Sequence, residues 1–196
     1  MTPYRRLTDE GQGVFRSKGS KFISLAFPCR SEEVLEQKLE ELRRLHHQAS
    51  HWVFACRSCP DRLEERSSDD GEPRHTAGTP ALHGLKSLEL FESAVVVVRY
   101  YGGSKLGKPG LIEAYRTASE EALKAAPFEW YEKKTGVDLL LDYPQLSHVQ
   151  AVLNRLGIKP LTLETTSRVR IPLELTEKEK QLLVNALGDD QRITFE

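Results

Sequence analysis

Residues 95–123 read VVVVRYYGGSKLGKPGLIEAYRTASEEAL and contain a strand, a glycine-rich turn and a helix, in that order. The four valines at 95–98 form a β-branched run that is typical of a strand buried on both faces. Glycines and a proline interrupt the run, and residues 111–126 then have the composition and apolar spacing of a helix. A buried strand that continues into a helix predicts a core in which helices pack on a sheet.

The residues before this stretch predict a strand, a helix, a second strand and a long loop. Residues 21–28 (KFISLAFP) and 51–57 (HWVFACR) are rich in β-forming side chains. Between them, Ser31 is placed to cap a helix whose leucines recur at helical spacing. The polar residues 58–74 predict a loop, and a threonine-proline pair after it indicates the start of another helix.

The C-terminal third of the chain predicts a second domain. Its segments follow the order βαββαβ, which is the order of ferredoxin-like folds. These segments are 137–143, 145–156, 160–166, 168–175, 176–187 and 192–195. We therefore expect an α+β chain with one domain over residues 1–130 and a ferredoxin-like domain over residues 131–196.

The overall charge does not indicate a general affinity for nucleic acid. The chain has 28 Lys and Arg against 29 Asp and Glu, and residues 1–130 balance at 19 against 19. No apolar run approaches the roughly 20 residues that span a bilayer, and the N-terminus has no apolar signal segment, so we expect a cytoplasmic protein that stays out of the membrane. Three cysteines in a chain of this size predict reduced thiols. Because positive and negative charges balance over the whole chain and over residues 1–130, any nucleic-acid contact must be local.

The glycine-rich turn is the first candidate binding site. Gly102, Gly103 and Gly107 permit close approach of a ligand to the backbone, and the start of the next helix offers unpaired N–H groups. Lys105 and Lys108 add positive charge. The spacing fits the phosphate-binding pattern G-x-x-x-x-G-K, but a proline follows where Ser or Thr would bind magnesium, which disfavours a nucleotide triphosphatase. The turn predicts contact with phosphate or a nucleic-acid backbone, or else a purely structural turn.

An acidic loop is the second candidate. Asp69, Asp70 and Glu72 are oxygen ligands that suit Mg²⁺, and close carboxylates can also shift a proton. Asp and Gly equally form turns, and a structural role would pair Asp70 or Glu72 with Arg99 or Arg74. Since no partner base or nucleophile is visible, we expect no catalytic residue, metal or cofactor. The acids would order the loop, while Arg74 and Arg99 would lie near the phosphate contact.

Other residues give weaker signals. Cys56 and Cys59 form a lone C-x-x-C, which is weak support for zinc or redox chemistry. One of Tyr100 and Tyr101 should face the core, because they alternate along a strand, and the other could stack on a base. Several basic residues near the N-terminus could flank a nucleic-acid groove. These are Arg5, Arg6, Arg16, Lys18 and Lys21.

Two motifs together resemble the YigZ/IMPACT family. They are SDDGEPRHTAGTPAL at 68–82 and the stretch at 95–123, and the resemblance extends over residues 1–126. It implies an N-terminal domain similar to domain IV of elongation factor G, a small ferredoxin-like domain, and proximity to RNA or the ribosome. The family turn is closer to RYYGGxxLGxGGL, so Lys108 and Pro109 replace a smaller and more flexible pair here. Arg116 stands where a small residue is common.

The leading hypothesis is a noncatalytic RNA- or ribosome-associated regulator of translation or of a stress response. Eukaryotic members of the family that the chain resembles compete for an activator of a translation-initiation-factor kinase. That specific role does not transfer to this chain, but a protein partner in translation control is also open. One alternative is a metal-assisted hydrolase or phosphotransfer enzyme that uses Asp69, Asp70 and Glu72. Another is a protein-interaction module in which both loops are scaffold.

Overall fold

The computed structural model describes residues 3–162, 164–165, 168–188 and 192–195, and it divides into two units. One unit holds Tyr4–Tyr131, and the other holds Pro3 together with the described residues from Glu132 onward. Each combines helices with a largely antiparallel sheet, so the predicted α+β class is confirmed. Among the helices of the described residues, none has the length and apolar character that crossing a bilayer requires.

The N-terminal unit is a five-stranded antiparallel sheet with helices on both faces. In chain order its elements are β1 (Tyr4–Leu7), β2 (Gly11–Ser17), β3 (Ser20–Pro28), α1 (Glu32–Leu45), β4 (His51–Arg57), β5 (Glu65–Ser68), α2 (Gly78–Ser87), β6 (Leu90–Phe91), β7 (Ser93–Tyr100), α3 (Gly107–Ala125) and β8 (Phe128–Tyr131). The strand order is β2-β3-β7-β4-β5. Helix α1 covers one face, and α2 and α3 cover the other. Strand β7 is consequently buried on both faces, as its valine run predicted.

A smaller sheet lies beside the large one, in the order β6-β1-β8. Strand β1 pairs in parallel with β6 and antiparallel with β8. The sequence pattern predicted none of these strands, because each has four residues or fewer and long-range pairing rather than local propensity stabilises it.

The C-terminal unit has the predicted ferredoxin-like order. Its elements are β9 (Thr135–Leu141), α4 (Leu146–Leu156), β10 (Glu164–Thr165), β11 (Val169–Leu175), α5 (Glu177–Leu187) and β12 (Ile193–Phe195). The antiparallel sheet runs β10-β11-β9-β12, so β11 separates β9 from β10. The two helices bury one face of this sheet in a single apolar core. A capping box between Thr176 and Glu179 begins α5, and Gly157, with φ of 70°, ends α4.

Three local predictions differ from the structure. The polar segment 58–74 is not entirely loop, because β5 pairs with the free side of β4. The strand predicted at 160–166 is limited, within the described residues, to Glu164–Thr165. Ser31 occupies the N-cap of α1, but its side chain makes no capping hydrogen bond. In the first case, tertiary pairing outweighed local polarity.

Candidate functional site

Asp69 orders the acidic loop and caps α2. Its Oδ1 accepts hydrogen bonds from the N–H groups of Ala77 at 3.0 Å and Gly78 at 2.8 Å. Its Oδ2 accepts from the N–H of His75 at 2.8 Å. Burial by itself raises the pKa of Asp69, but these three backbone donors outweigh burial and lower that pKa below its ordinary value. Asp69 therefore acts as an ionised cap.

Asp69→Ala is expected to lower the free energy of unfolding by about 2 kcal/mol, because three backbone donors lose their acceptor. Urea unfolding at neutral pH measures the difference, with Asp69→Asn as the milder control that keeps one acceptor oxygen. Since the folded-state pKa is lowered, the stabilisation is present above the unfolded pKa of about 4 and is lost as the pH falls through the folded value. An Asp69→Ala protein as stable as the wild type would contradict the capping role.

Asp70 joins the acidic loop to β4. Its Oδ2 accepts the N–H of Trp52 at 2.6 Å, and its carbonyl oxygen accepts from Nδ1 of His51 at 2.7 Å. The guanidinium of Arg43 on α1 lies 3.6 Å from the other carboxylate oxygen. Asp70 has φ of 43°, in the left-handed region that Asp tolerates better than most residues. The loop is thus held against the sheet at this point.

Glu72 forms the buried centre of the site. Its Oε1 accepts from Nη1 of Arg99 at 2.5 Å and from the hydroxyl of Tyr115 at 2.7 Å. Glu72 is only 9% exposed and Arg99 only 4%. Burial, and then the charge of Glu72, raise the pKa of Tyr115, so its hydroxyl stays protonated as a donor. The pairing of Glu72 with Arg99 is one of the ion pairs that the sequence predicted.

Arg99 connects this ion pair to the glycine turn. Its Nη2 donates to Oγ of Ser20 at 3.3 Å, and the same Oγ accepts the N–H of Gly102 at 3.1 Å. Among the described residues, Nε of Arg99 has no acceptor. The guanidinium lies inside the domain and is committed to Glu72. It therefore positions the turn, and its charge is largely neutralised before any phosphate could reach it.

The start of α3 presents its lysines beside a cleft. Lys105 and Lys108 are exposed, and Leu106 at the N-cap offers no side-chain hydrogen bond to the first helical N–H groups. The adjoining cleft has a volume of about 370 Å³ and includes Leu111, Glu72 and both lysines in its lining. An anion at this helix start would meet unpaired N–H groups and two cations.

The tip of the β2–β3 hairpin packs against the glycine turn, a contact that the sequence did not predict. A Cβ on Gly102 would lie 2.0 Å from the carbonyl carbon of Gly19. This contact brings Lys18 to the same end of the domain as Lys105 and Lys108, while Arg74 follows Pro73 at the wall of the cleft. We call Lys18, Arg74, Lys105 and Lys108 the basic end. None of these four forms an ion pair within the described part of the chain.

The remaining N-terminal cations do not line the cleft. Arg16 and Lys21 are directly paired across the β2–β3 hairpin, and Lys21 is also in register with Tyr100 on β7. Arg5 and Arg6 lie on β1 in the small sheet. Arg6 forms ion pairs with two glutamates and is not available to a ligand in that form.

The two tyrosines before the turn divide as strand alternation predicted. Tyr100 is half-buried, and its hydroxyl lies 3.0 Å from Nδ1 of His46. Tyr101 is 49% exposed and lies 5.4 Å from the guanidinium of Arg99, at the cleft. Tyr101 is therefore the ring that a base could reach.

The acidic loop does not provide a preformed metal site. Asp69 and Asp70 accept backbone N–H groups and Glu72 is paired with Arg99, so a metal would have to displace those contacts. Within the ranges that the structure describes, no three His, Cys, Asp or Glu side chains are grouped to hold a metal. Burial raises the pKa of the Cys29 thiol to about 12, which keeps that thiol protonated.

The comparisons with known proteins agree with both units. The Impact N-terminal domain matches residues 18–123. An IMPACT family member of Haemophilus influenzae is 34% identical over 163 residues, which are 82% of this chain and 79% of that protein. The IMPACT family member YigZ of Escherichia coli is 35% identical over 70% of this chain and 69% of its own. The crystal structure of a hypothetical protein, 28% identical, aligns over 100% of this chain and 97% of its own with a TM-score of 0.71.

Proposed function

Since this chain belongs to the IMPACT family, we propose that it is a noncatalytic cytoplasmic regulator of translation that binds RNA, either free or within ribosomal particles. The role in translation rests on what the family resemblance implies. The contact with RNA rests on the residues of the basic end.

The observation that carries the RNA proposal is the basic end itself. In a chain with a net charge of −1, Lys105 and Lys108 line the cleft, and Lys18 and Arg74 adjoin Gly19 and Pro73 in the chain; none of the four has an acidic partner among the described residues. Two of them, Lys105 and Lys108, stand at the uncapped start of a 19-residue helix. Phosphates bound there would release counterions, which supplies most of the free energy of nonspecific RNA binding. Tyr101 adds an exposed ring that can stack on a base.

The buried network supports this proposal by fixing the shape of the turn. Glu72 and Arg99 are both more than nine-tenths buried, and Ser20 joins Arg99 to the N–H of Gly102. A turn held in this way loses little conformational freedom when it binds. Glu72 and Arg99 thus preorganise the site, while the exposed lysines contact the phosphates.

Lys105→Ala/Lys108→Ala is expected to weaken binding of dodecauridylate and of ribosomal particles and to reduce its dependence on salt. Each phosphate contact to a single strand contributes about 0.7 to the slope of log affinity against log salt, so the slope should fall by about 1.4. Fluorescence anisotropy across a salt series measures the slope, and cosedimentation tests the particles.

The matched control removes the same charge from exposed lysines of the C-terminal unit, as Lys159→Ala/Lys178→Ala. This control should retain the wild-type slope. Equal slopes in the wild type, the Lys105→Ala/Lys108→Ala variant and the control would show that Lys105 and Lys108 do not contact phosphates. Absence of binding to either probe at low salt would sink the proposal and favour a protein partner.

A further inference from the structure

A second surface on the N-terminal unit lies on β8. Phe128 is 48% exposed, and Trp130, at 64%, has the largest exposed fraction among the large apolar side chains described in this unit. The two rings are two positions apart on a strand, so they point to the same face with Cα atoms about 6.8 Å apart. Together with Arg5, we call them the aromatic strand.

Arg5 supplies the charge of the aromatic strand. It pairs in register with Trp130, and its guanidinium carbon lies 3.9 Å from the centroid of the Phe128 ring. In the described part of the chain it forms no ion pair, and its buried Nε has no acceptor. A cleft of about 520 Å³ opens beside it, and its lining includes Leu123 and Leu88.

On the opposite face of β1 and β8, the arginine already has acidic partners. Arg6 forms ion pairs with Glu92 and Glu129 and stacks on the ring of Tyr131 at 3.4 Å. The two faces thus carry equivalent stacks of an arginine on an aromatic ring, but within the described ranges carboxylates pair with Arg6 and none pairs with Arg5. Among the described residues no carboxylate pairs with Arg5, which makes an anionic ligand complementary to this face.

We propose that the aromatic strand binds single-stranded RNA, with bases stacked on Phe128 and Trp130 and a phosphate at Arg5. Exposed rings on a strand and an unpaired arginine suit this ligand, because every base has a face that can stack. Addition of a partner's strand is less suited, since β8 has only four residues and carries Glu129. The inference rests on the proposed function, since it takes the same RNA partner, but it concerns a different surface. The two surfaces lie at opposite ends of α3, which separates them by roughly 28 Å.

Tryptophan fluorescence tests the proposal directly, with dodecauridylate as the probe. The chain has two tryptophans, and Trp52 is half-buried with Nε1 bonded to the carbonyl of Leu42, so exposed Trp130 should report stacking. Saturable quenching is expected in the wild type and should be absent in Trp130→Phe, which keeps a ring and most of the affinity. Trp130→Ala should bind roughly tenfold more weakly. Leu161→Ala, an exposed apolar residue of the other unit, is the control.

The Lys105→Ala/Lys108→Ala protein separates this inference from the proposed function. If that protein still shows quenching and its salt slope equals that of the wild type, the result supports RNA binding at the aromatic strand and excludes phosphate contact at the basic end. If the salt slope is reduced in Lys105→Ala/Lys108→Ala but the wild type shows no quenching, RNA binds at the basic end and the proposal for the aromatic strand is overturned. Quenching that persists in Trp130→Phe would also overturn the proposal that the aromatic strand binds RNA. Quenching by an extended acidic peptide but not by dodecauridylate would overturn it in favour of a protein partner.

Discussion

Glu72→Gln is expected to lower the free energy of unfolding of the N-terminal unit by about 3–5 kcal/mol, because it leaves the buried guanidinium of Arg99 without its countercharge. The amide oxygen of glutamine can still accept a hydrogen bond from the Tyr115 hydroxyl, and glutamine has nearly the same side-chain volume as glutamate. The lost contribution is therefore the charge of a carboxylate that is 9% exposed. Both tryptophans lie in this unit, so urea unfolding followed by tryptophan fluorescence reports on it alone.

Glu113→Gln is the matched control for that measurement. Glu113 also pairs with an arginine, Arg116, but the side chains are 58% and 48% exposed, and such surface pairs contribute about 0–1 kcal/mol. Adding Arg99→Met to Glu72→Gln should restore part of the stability, because the uncompensated buried charge is then absent. Equal losses for Glu72→Gln and Glu113→Gln would show that the buried pair does not hold the site.

Gly102→Ala is expected to destabilise the same unit by about 3 kcal/mol and to weaken RNA binding at the basic end. The new Cβ would lie 2.0 Å from the carbonyl carbon of Gly19 and 2.3 Å from both its oxygen and the nitrogen of Ser20. These are backbone atoms, so no change of rotamer can relieve the clash. Either the hairpin tip or the turn must move, and the bond from the Gly102 N–H to Ser20 would be lost.

The neighbouring glycine provides the control for this substitution. Gly103 has φ of 85°, but a Cβ there would meet nothing within 4 Å. Gly103→Ala should therefore cost only the strain of a left-handed residue, roughly 1 kcal/mol, and should leave the hairpin contact intact. Urea unfolding and the salt slope with dodecauridylate distinguish the two. A Gly102→Ala protein no less stable than Gly103→Ala would contradict the packing of the tip on the turn.

Local sequence patterns determined the elements whose side chains settle their own environment. The valine run identified β7 as a strand buried on both faces, and helical spacing identified α1 and α3. The order of segments in the last third identified the ferredoxin-like unit. The two motifs indicated the family. In each case the signal lies within one segment or in the order of segments, which the chain carries without being folded.

The sequence also indicated part of the candidate site. It named the acids of one loop and the glycines and lysines of another, and it included Glu72 with Arg99 among the possible pairs. It could not choose among the pairs, since burial decides which charges must be neutralised. Tyr115 and Ser20 went unnoticed because they are 43 residues from Glu72 and 79 from Arg99 in the chain, respectively.

Tertiary structure alone decided how the segments meet. The strand order β2-β3-β7-β4 places Ser20 beneath the turn and brings the hairpin tip onto Gly102, and no local periodicity encodes that order. It also distinguished Gly102, which is confined by backbone, from Gly103, which is open, although the two are adjacent and identical in sequence. The sequence determined which residues prefer a strand, a turn or a helix. Packing determined which of their charges are buried in pairs and which remain at the surface to meet a ligand, because burial and proximity exist only in the folded chain.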